Sequence, residues 1–146
     1  MTLILGLKCR GGIVLGADGA ATFGALGQRT IRQPTRKLSI IRDDGVVMGT
    51  SGPVGLGQQY VGAVGDLWDS RLLQGKPAHT AMMMIQQSLW PHCEQQIRIA
   101  QVSQQTFGQN LALQSAVATS VLALPLDGEP RLFQFDHQCA PEEASE

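Results

Sequence analysis

Hydrophobic residues along this chain follow two different periods, and the change between them divides it into three regions. Leu3 to Lys8 and Ile13 to Ala17 are short apolar runs separated by Arg10-Gly11-Gly12, where glycine tolerates positive φ, so the stretch predicts a β-hairpin. Both runs are apolar almost throughout, which predicts a sheet covered on both faces. A looser segment rich in Gly and Ala follows, from Gly19 to Gly27. Arg36 to Ile41 and Val46 to Thr50 predict a further strand pair around a turn at Asp43-Asp44-Gly45.

The period changes at Ser51-Gly52-Pro53. Proline suits a first helical position, since its φ is already helical and the N–H it lacks would be unpaired there. Beyond it Val54, Leu56, Tyr60, Val61, Val64, Leu67 and Trp68 recur at helical spacing. Gly75-Lys76-Pro77 ends that helix and starts another, in which Met82, Ile85 and Leu89 share a face. Pro91 predicts a kink or break, with helical pattern resuming through Ile97 and Ala100. The Gln-rich stretch from Gln95 to Gln114 is polar but not of low complexity. Val117 to Leu124 and Arg131 to Phe135 predict two last strands joined at Asp127-Gly128-Glu129, and the acidic tail from Ala140 to Glu146 predicts a loose end. Strands and helices are grouped rather than alternating, which points to one α+β domain over residues 1–146.

Composition narrows the classes of function. At 146 residues and 43% apolar content the chain can bury a real core. A net charge of −1 gives no reason to expect nucleic acid or an anionic membrane as partner. Cys9, Cys93 and Cys139 are odd in number and far apart, unlike a disulfide framework, which favours a reducing, cytoplasmic setting. No apolar run approaches the roughly 20 residues that span a bilayer. The apolar opening also lacks the basic start of a signal peptide.

The candidate chemistry begins at Thr2. A threonine hydroxyl is a poor nucleophile unless a base takes its proton, and a free N-terminal threonine carries that base in its own α-amine, which titrates near about 7.7–8.0. Thr2 is small enough for Met1 removal to be expected. Asp18 ends the second apolar run, so a hairpin places it beside the start of the first. Lys37 enters a later strand. Buried against Asp18, it would bring positive charge to the Thr2 hydroxyl, favouring its ionised form and lowering the amine's pKa. Gly52, at a strand-to-helix junction, can aim its N–H at a substrate carbonyl with help from the helix dipole. Singly, these are a strand residue, a turn residue, a solvated charge and a helix cap; the combination carries the argument.

Other signals are weaker. Gly52-Pro53-Val54-Gly55-Leu56-Gly57 has neither the ending of a P-loop nor the glycine order of a dinucleotide fingerprint. His79, His92, His137, Cys93 and Cys139 have no metal-ligand spacing, and Met82-Met83-Met84 reads as helix packing. No metal or cofactor is expected.

With these residues placed, the chain resembles proteasome β-type subunits, and more narrowly the bacterial proteasome-like threonine peptidases. Thr2 to Leu7 resembles the mature N-terminal strand. Gly16-Ala17-Asp18-Gly19-Ala20-Ala21-Thr22 resembles the second strand with its aspartate. Arg36-Lys37-Leu38 resembles the basic pair with its lysine, Gly49-Thr50-Ser51-Gly52 the oxyanion turn, and Phe133-Gln134-Phe135-Asp136 a later strand. The resemblance implies a four-layer αββα sandwich of the N-terminal-nucleophile hydrolase type, with Thr2, Asp18, Lys37 and Gly52 as the catalytic set. It also implies Thr50 lining the specificity pocket, Ala21 beside it, and the Thr22 backbone pairing with an extended substrate. An acyl-enzyme on Thr2, hydrolysed by water, would be the mechanism. Stacked homo-oligomeric rings, a peptide or unfolded-protein substrate and an ATPase unfoldase are the implied partners.

Leu3 stands where the family often has a second Thr or Ser, the Gly24 to Pro34 loop is longer, and Ser51 replaces the usual Ala. The family's fold continues past the Phe133 strand with a Gly-Ser-Gly turn, two helices and further strands. The sequence is therefore expected to represent the N-terminal part of that fold, truncated at its C-terminus. The alternatives are a non-catalytic assembly subunit of the same fold and a small α+β binding domain in which Thr2 has no special role.

Overall fold

A computed structural model describes residues 2–23, 31–107 and 116–144 of the chain. The opening hairpin pairs β1 (Ile4–Cys9) with β2 (Gly12–Ala17), Ile4 opposite Ala17 and Cys9 opposite Gly12, with Arg10-Gly11 as the turn. Next, β3 (Ala20–Phe23) and β4 (Ile31–Pro34) form a second antiparallel ribbon. The sequence reading made part of this ribbon a loose segment, because short Gly- and Ala-rich runs carry no alternation to reveal a strand. Residues 24–30, which hold most of the longer loop, lie outside the described set.

The main sheet joins β5 (Leu38–Arg42), β6 (Val46–Ser51), β7 (Thr119–Leu126), β8 (Glu129–Phe135) and β9 (Pro141–Glu143) in chain order, all antiparallel. Asp127 and Gly128 join β7 to β8 with φ of 52° and 80°, the paired left-handed conformations of a type I′ turn. Between β6 and β7 run α1 (Val54–Asp69) and α2 (Ala78–Phe107). Two expectations are narrowed here. Of the kink or break expected at Pro91, the break is not found, since Pro91 lies inside α2 without ending it. Proline removes one helical hydrogen bond, but Leu89 and Cys93 on either side are fully buried and hold the helix to the core. The tail is not loose over Pro141–Glu143, which pairs with β8 and is fastened by an Arg131–Glu143 ion pair at 2.9 Å.

Both helices lie on one face of the main sheet and the β1–β2 hairpin on the other. Alternation along β6 shows how. Val46 and Met48 point to the helix side, into a core with Leu56, Tyr60 and Val64 of α1, Ile85 and Leu89 of α2, and Leu122, Leu124, Phe133 and Phe135 of the sheet. Gly49 points the other way, and a Cβ there would lie 2.9 Å from Ile4 Cγ2 of the hairpin. Gly6 is the reciprocal case, with Leu132 Cδ2 at 2.9 Å. Two glycines thus let the hairpin settle closely onto the sheet, which places the N-terminus. The hairpin's outer face, by contrast, exposes Leu3, Leu5, Leu7 and Val14, so the expected cover on both faces is not found among the described residues. No helix is long and apolar enough to cross a membrane.

Candidate active site

The hairpin register carries Asp18 back to the first residues of the chain. Asp18 N–H donates to Leu3 O at 3.1 Å, continuing the ladder by one rung, and Leu3 N–H donates to Asp18 Oδ1 at 2.7 Å. These two bonds hold the chain on the C-terminal side of Thr2. Lys37 immediately precedes β5, and its carbonyl accepts the Thr50 N–H at 3.2 Å, fixing it to the end of β6. From there its Nζ donates to both Asp18 carboxylate oxygens at 2.8 Å and to Thr2 Oγ1 at 3.2 Å. The Lys37 side chain is 6% exposed and that of Asp18 33%. Thr2, Asp18 and Lys37, drawn from three separate stretches of sequence, therefore meet at one ammonium group.

The electrostatics follow from that geometry. The ammonium is shielded from water and lies against a carboxylate that balances its charge. Its contact with Thr2 Oγ1 would favour any negative charge placed on that oxygen.

Gly52 lies just beyond the end of β6 with φ +131°, a conformation that L residues rarely adopt. A Cβ there would sit 2.6 Å from Val117 O and 2.8 Å from Ala118 Cα, so only glycine fits against the chain entering β7. Two residues later α1 begins with Pro53 as N-cap, no side-chain cap and no acidic residue in its first turn. The positive end of the helix is thus left uncompensated by protein side chains. No hydrogen bond joins Gly52 directly to Thr2, Asp18 or Lys37 among the described residues; it shares their neighbourhood through Thr50, two residues upstream.

Thr50 turns its side chain to the helix face of β6, where its Oγ1 would be 2.7 Å from a Cβ on Gly57 of α1. Ala21 and Thr22 lie on β3, opposite Gln33 and Arg32, three and four residues past Asp18. The Asp18 N–H bond to Leu3 O and the Thr50–Lys37 bond could not be read from the sequence, because both join backbone groups that nearly every residue type carries. The His and Cys residues form no metal-binding cluster among the described residues. Cys139 is buried and its Sγ lies 3.0 Å from Tyr60 Oη, and burial pushes its thiol up to about 11. Burial raises the Tyr60 phenol as well. Cys139 is thus a protonated core thiol rather than a rival nucleophile. The cavity between hairpin and sheet, about 710 Å³, is not lined by Thr2, Asp18, Lys37 or Gly52.

Compared with known proteins, the sequence matches no family model and no curated relative, so the functional reading rests on the site's geometry and the sequence resemblance.

Proposed function

We propose that this chain is a threonine-type endopeptidase subunit of the N-terminal-nucleophile class, with Thr2 as nucleophile once Met1 is removed. The observation that carries the reading is the buried Lys37 ammonium, bonded at once to Asp18 and to the Thr2 hydroxyl. In this reading the Thr2 α-amine, freed by loss of Met1, accepts the hydroxyl proton as Oγ attacks a peptide carbonyl. Lys37 stabilises the charge on Oγ and Asp18 orients Lys37. The Gly52 N–H and the uncapped start of α1 receive the carbonyl oxygen as it becomes an oxyanion. The amine returns the proton to the leaving peptide, and water, activated by the same amine, hydrolyses the ester.

The complete fold would be the four-layer αββα sandwich, with further helices over the apolar outer face of the hairpin. Thr50 and Ala21 would shape the specificity pocket and Thr22 would pair with the substrate backbone. Cytoplasmic stacked homo-oligomeric rings fed with peptides or unfolded proteins by an ATPase unfoldase complete the proposal.

Intact-protein mass tests the first step, since retention of Met1 leaves Thr2 without its base. A peptide epoxyketone or β-lactone tests the second. One adduct per chain is expected, absent in Thr2→Ala. Labelling that survives Thr2→Ala, or a chain that keeps Met1 and still hydrolyses peptides, would remove Thr2 from the mechanism.

A further inference from the structure

Between the Gly12 end of the hairpin and the main sheet lies a cavity of about 710 Å³. Ile13 and Leu15 of β2, Leu38 of β5 and Val47 of β6 form its walls, with Pro125 and Pro130 at the β7–β8 end. None of these side chains carries a hydrogen-bonding group, and the prolines lack even a main-chain N–H. A sugar or nucleotide placed there would surrender its hydrogen bonds to water without replacement, so the body of an occupant has to be apolar. The volume falls in the range of about 300–1,000 Å³ typical of small-molecule sites, which combine such walls with a few placed polar groups.

Two charged residues, Arg36 and Asp44, line it. Asp44 is already engaged, its Oδ2 accepting the Trp68 indole N–H at 3.0 Å, and it also lies in the field of Arg42. Arg36 has no hydrogen bond or ion pair among the described residues. Arg36 is therefore the lining charge left without a protein partner among the described residues, and its planar guanidinium matches a carboxylate in geometry.

We propose that this groove binds a long-chain carboxylate, its hydrocarbon tail between hairpin and sheet and its head group on Arg36. Tail and head are separately testable. Binding by a tail alone would tolerate an uncharged head; binding by Arg36 alone would be indifferent to tail length. The site uses no residue of the Thr2–Asp18–Lys37 group, so it stands whether or not the chain is a peptidase.

The experiment is a titration of the full chain with palmitate below its micellar concentration, followed by calorimetry and by Trp68 fluorescence, which the Asp44 contact ties to the rim. The expected result is saturable one-to-one binding, weaker by about tenfold or more in Arg36→Gln, as for loss of a charge-assisted hydrogen bond. Hexadecanol should compete poorly and octanoate should bind more weakly than palmitate. Since Arg36 is exposed, Arg36→Gln should fold normally, and its melting curve checks that. Absence of saturable binding, equal affinity in Arg36→Gln, or equal competition by hexadecanol would each overturn the proposal.

Discussion

Replacing Lys37 by alanine separates the role of this residue in the site from its role in the fold. The side chain is 6% exposed and donates to two Asp18 oxygens at 2.8 Å and to Thr2 Oγ1 at 3.2 Å. Breaking a fully buried ion pair costs about 3–5 kcal/mol, most of it from the charge left behind. Here the survivor is Asp18, whose side chain is 33% exposed and keeps the Leu3 N–H at 2.7 Å. Water can solvate much of it, so the loss falls to about 1–3 kcal/mol, the range for one unsatisfied polar group. That is a fraction of the ~5–15 kcal/mol that holds a typical domain together, so Lys37→Ala should melt lower by several degrees yet still fold. Its effect on reactivity should be much larger. Groups that manage proton and charge at a nucleophile contribute about 10²–10⁴-fold, and the labelling rate of Thr2 by a β-lactone, read by intact mass, should fall by that order. Lys37→Met, which keeps most of the volume without the charge, should lose reactivity equally while melting closer to wild type. Labelling of Lys37→Ala at the wild-type rate would refute the reasoning. So would a matched loss in Lys37→Met that tracked unfolding rather than chemistry.

Further outcomes follow from other parts of the site. Gly52→Ala forces a Cβ to within 2.6 Å of Val117 O at φ +131° and should destabilise by at least about 1–3 kcal/mol, seen in urea unfolding; a neutral effect would mean the β6–α1 junction is not seated as described. The labelling rate should rise with pH as the Thr2 α-amine, ordinarily near ~7.7–8.0, loses its proton; a pH-independent rate between 6 and 9 would exclude the amine as base. The buried Cys139 thiol is raised from 9.0 to about 11, so its contribution to stability is complete below pH 9.0 and is lost as pH climbs toward 11. Thermal melts across that window should fall by several degrees, and Cys139→Ala should flatten the slope; an unchanged slope would assign the alkaline loss elsewhere.

Much of the architecture could be read from local pattern. The change from continuous apolar runs to helical spacing at Gly52-Pro53 marked the β6–α1 boundary, and Asp127-Gly128 marked a hairpin turn, because each depends on the conformational limits of a few adjacent residues. The reading was incomplete where long-range contact overrides local preference. Pro91 breaks isolated helices, but α2 runs through it because Leu89 and Cys93 are anchored in the core. The tail looked loose because acidic composition says nothing of a partner strand, and Arg131 on β8 supplies both partner and counter-charge.

The candidate site divides in the same way. By itself the sequence determined that a penultimate threonine, an aspartate closing a second strand, a lysine opening a later one and a glycine at a helix start were present in suitable order. A hairpin sufficed to bring Asp18 to Thr2, since antiparallel pairing returns the chain to its beginning. Only tertiary structure decided that Lys37 would meet them. Its approach depends on Gly49 and Gly6 letting the hairpin lie close on the sheet, and on the Thr50 N–H holding Lys37 at the edge of β6. Packing distance and main-chain hydrogen bonding across layers leave no mark in local composition, and they are what brought Thr2, Asp18 and Lys37 together in one candidate site.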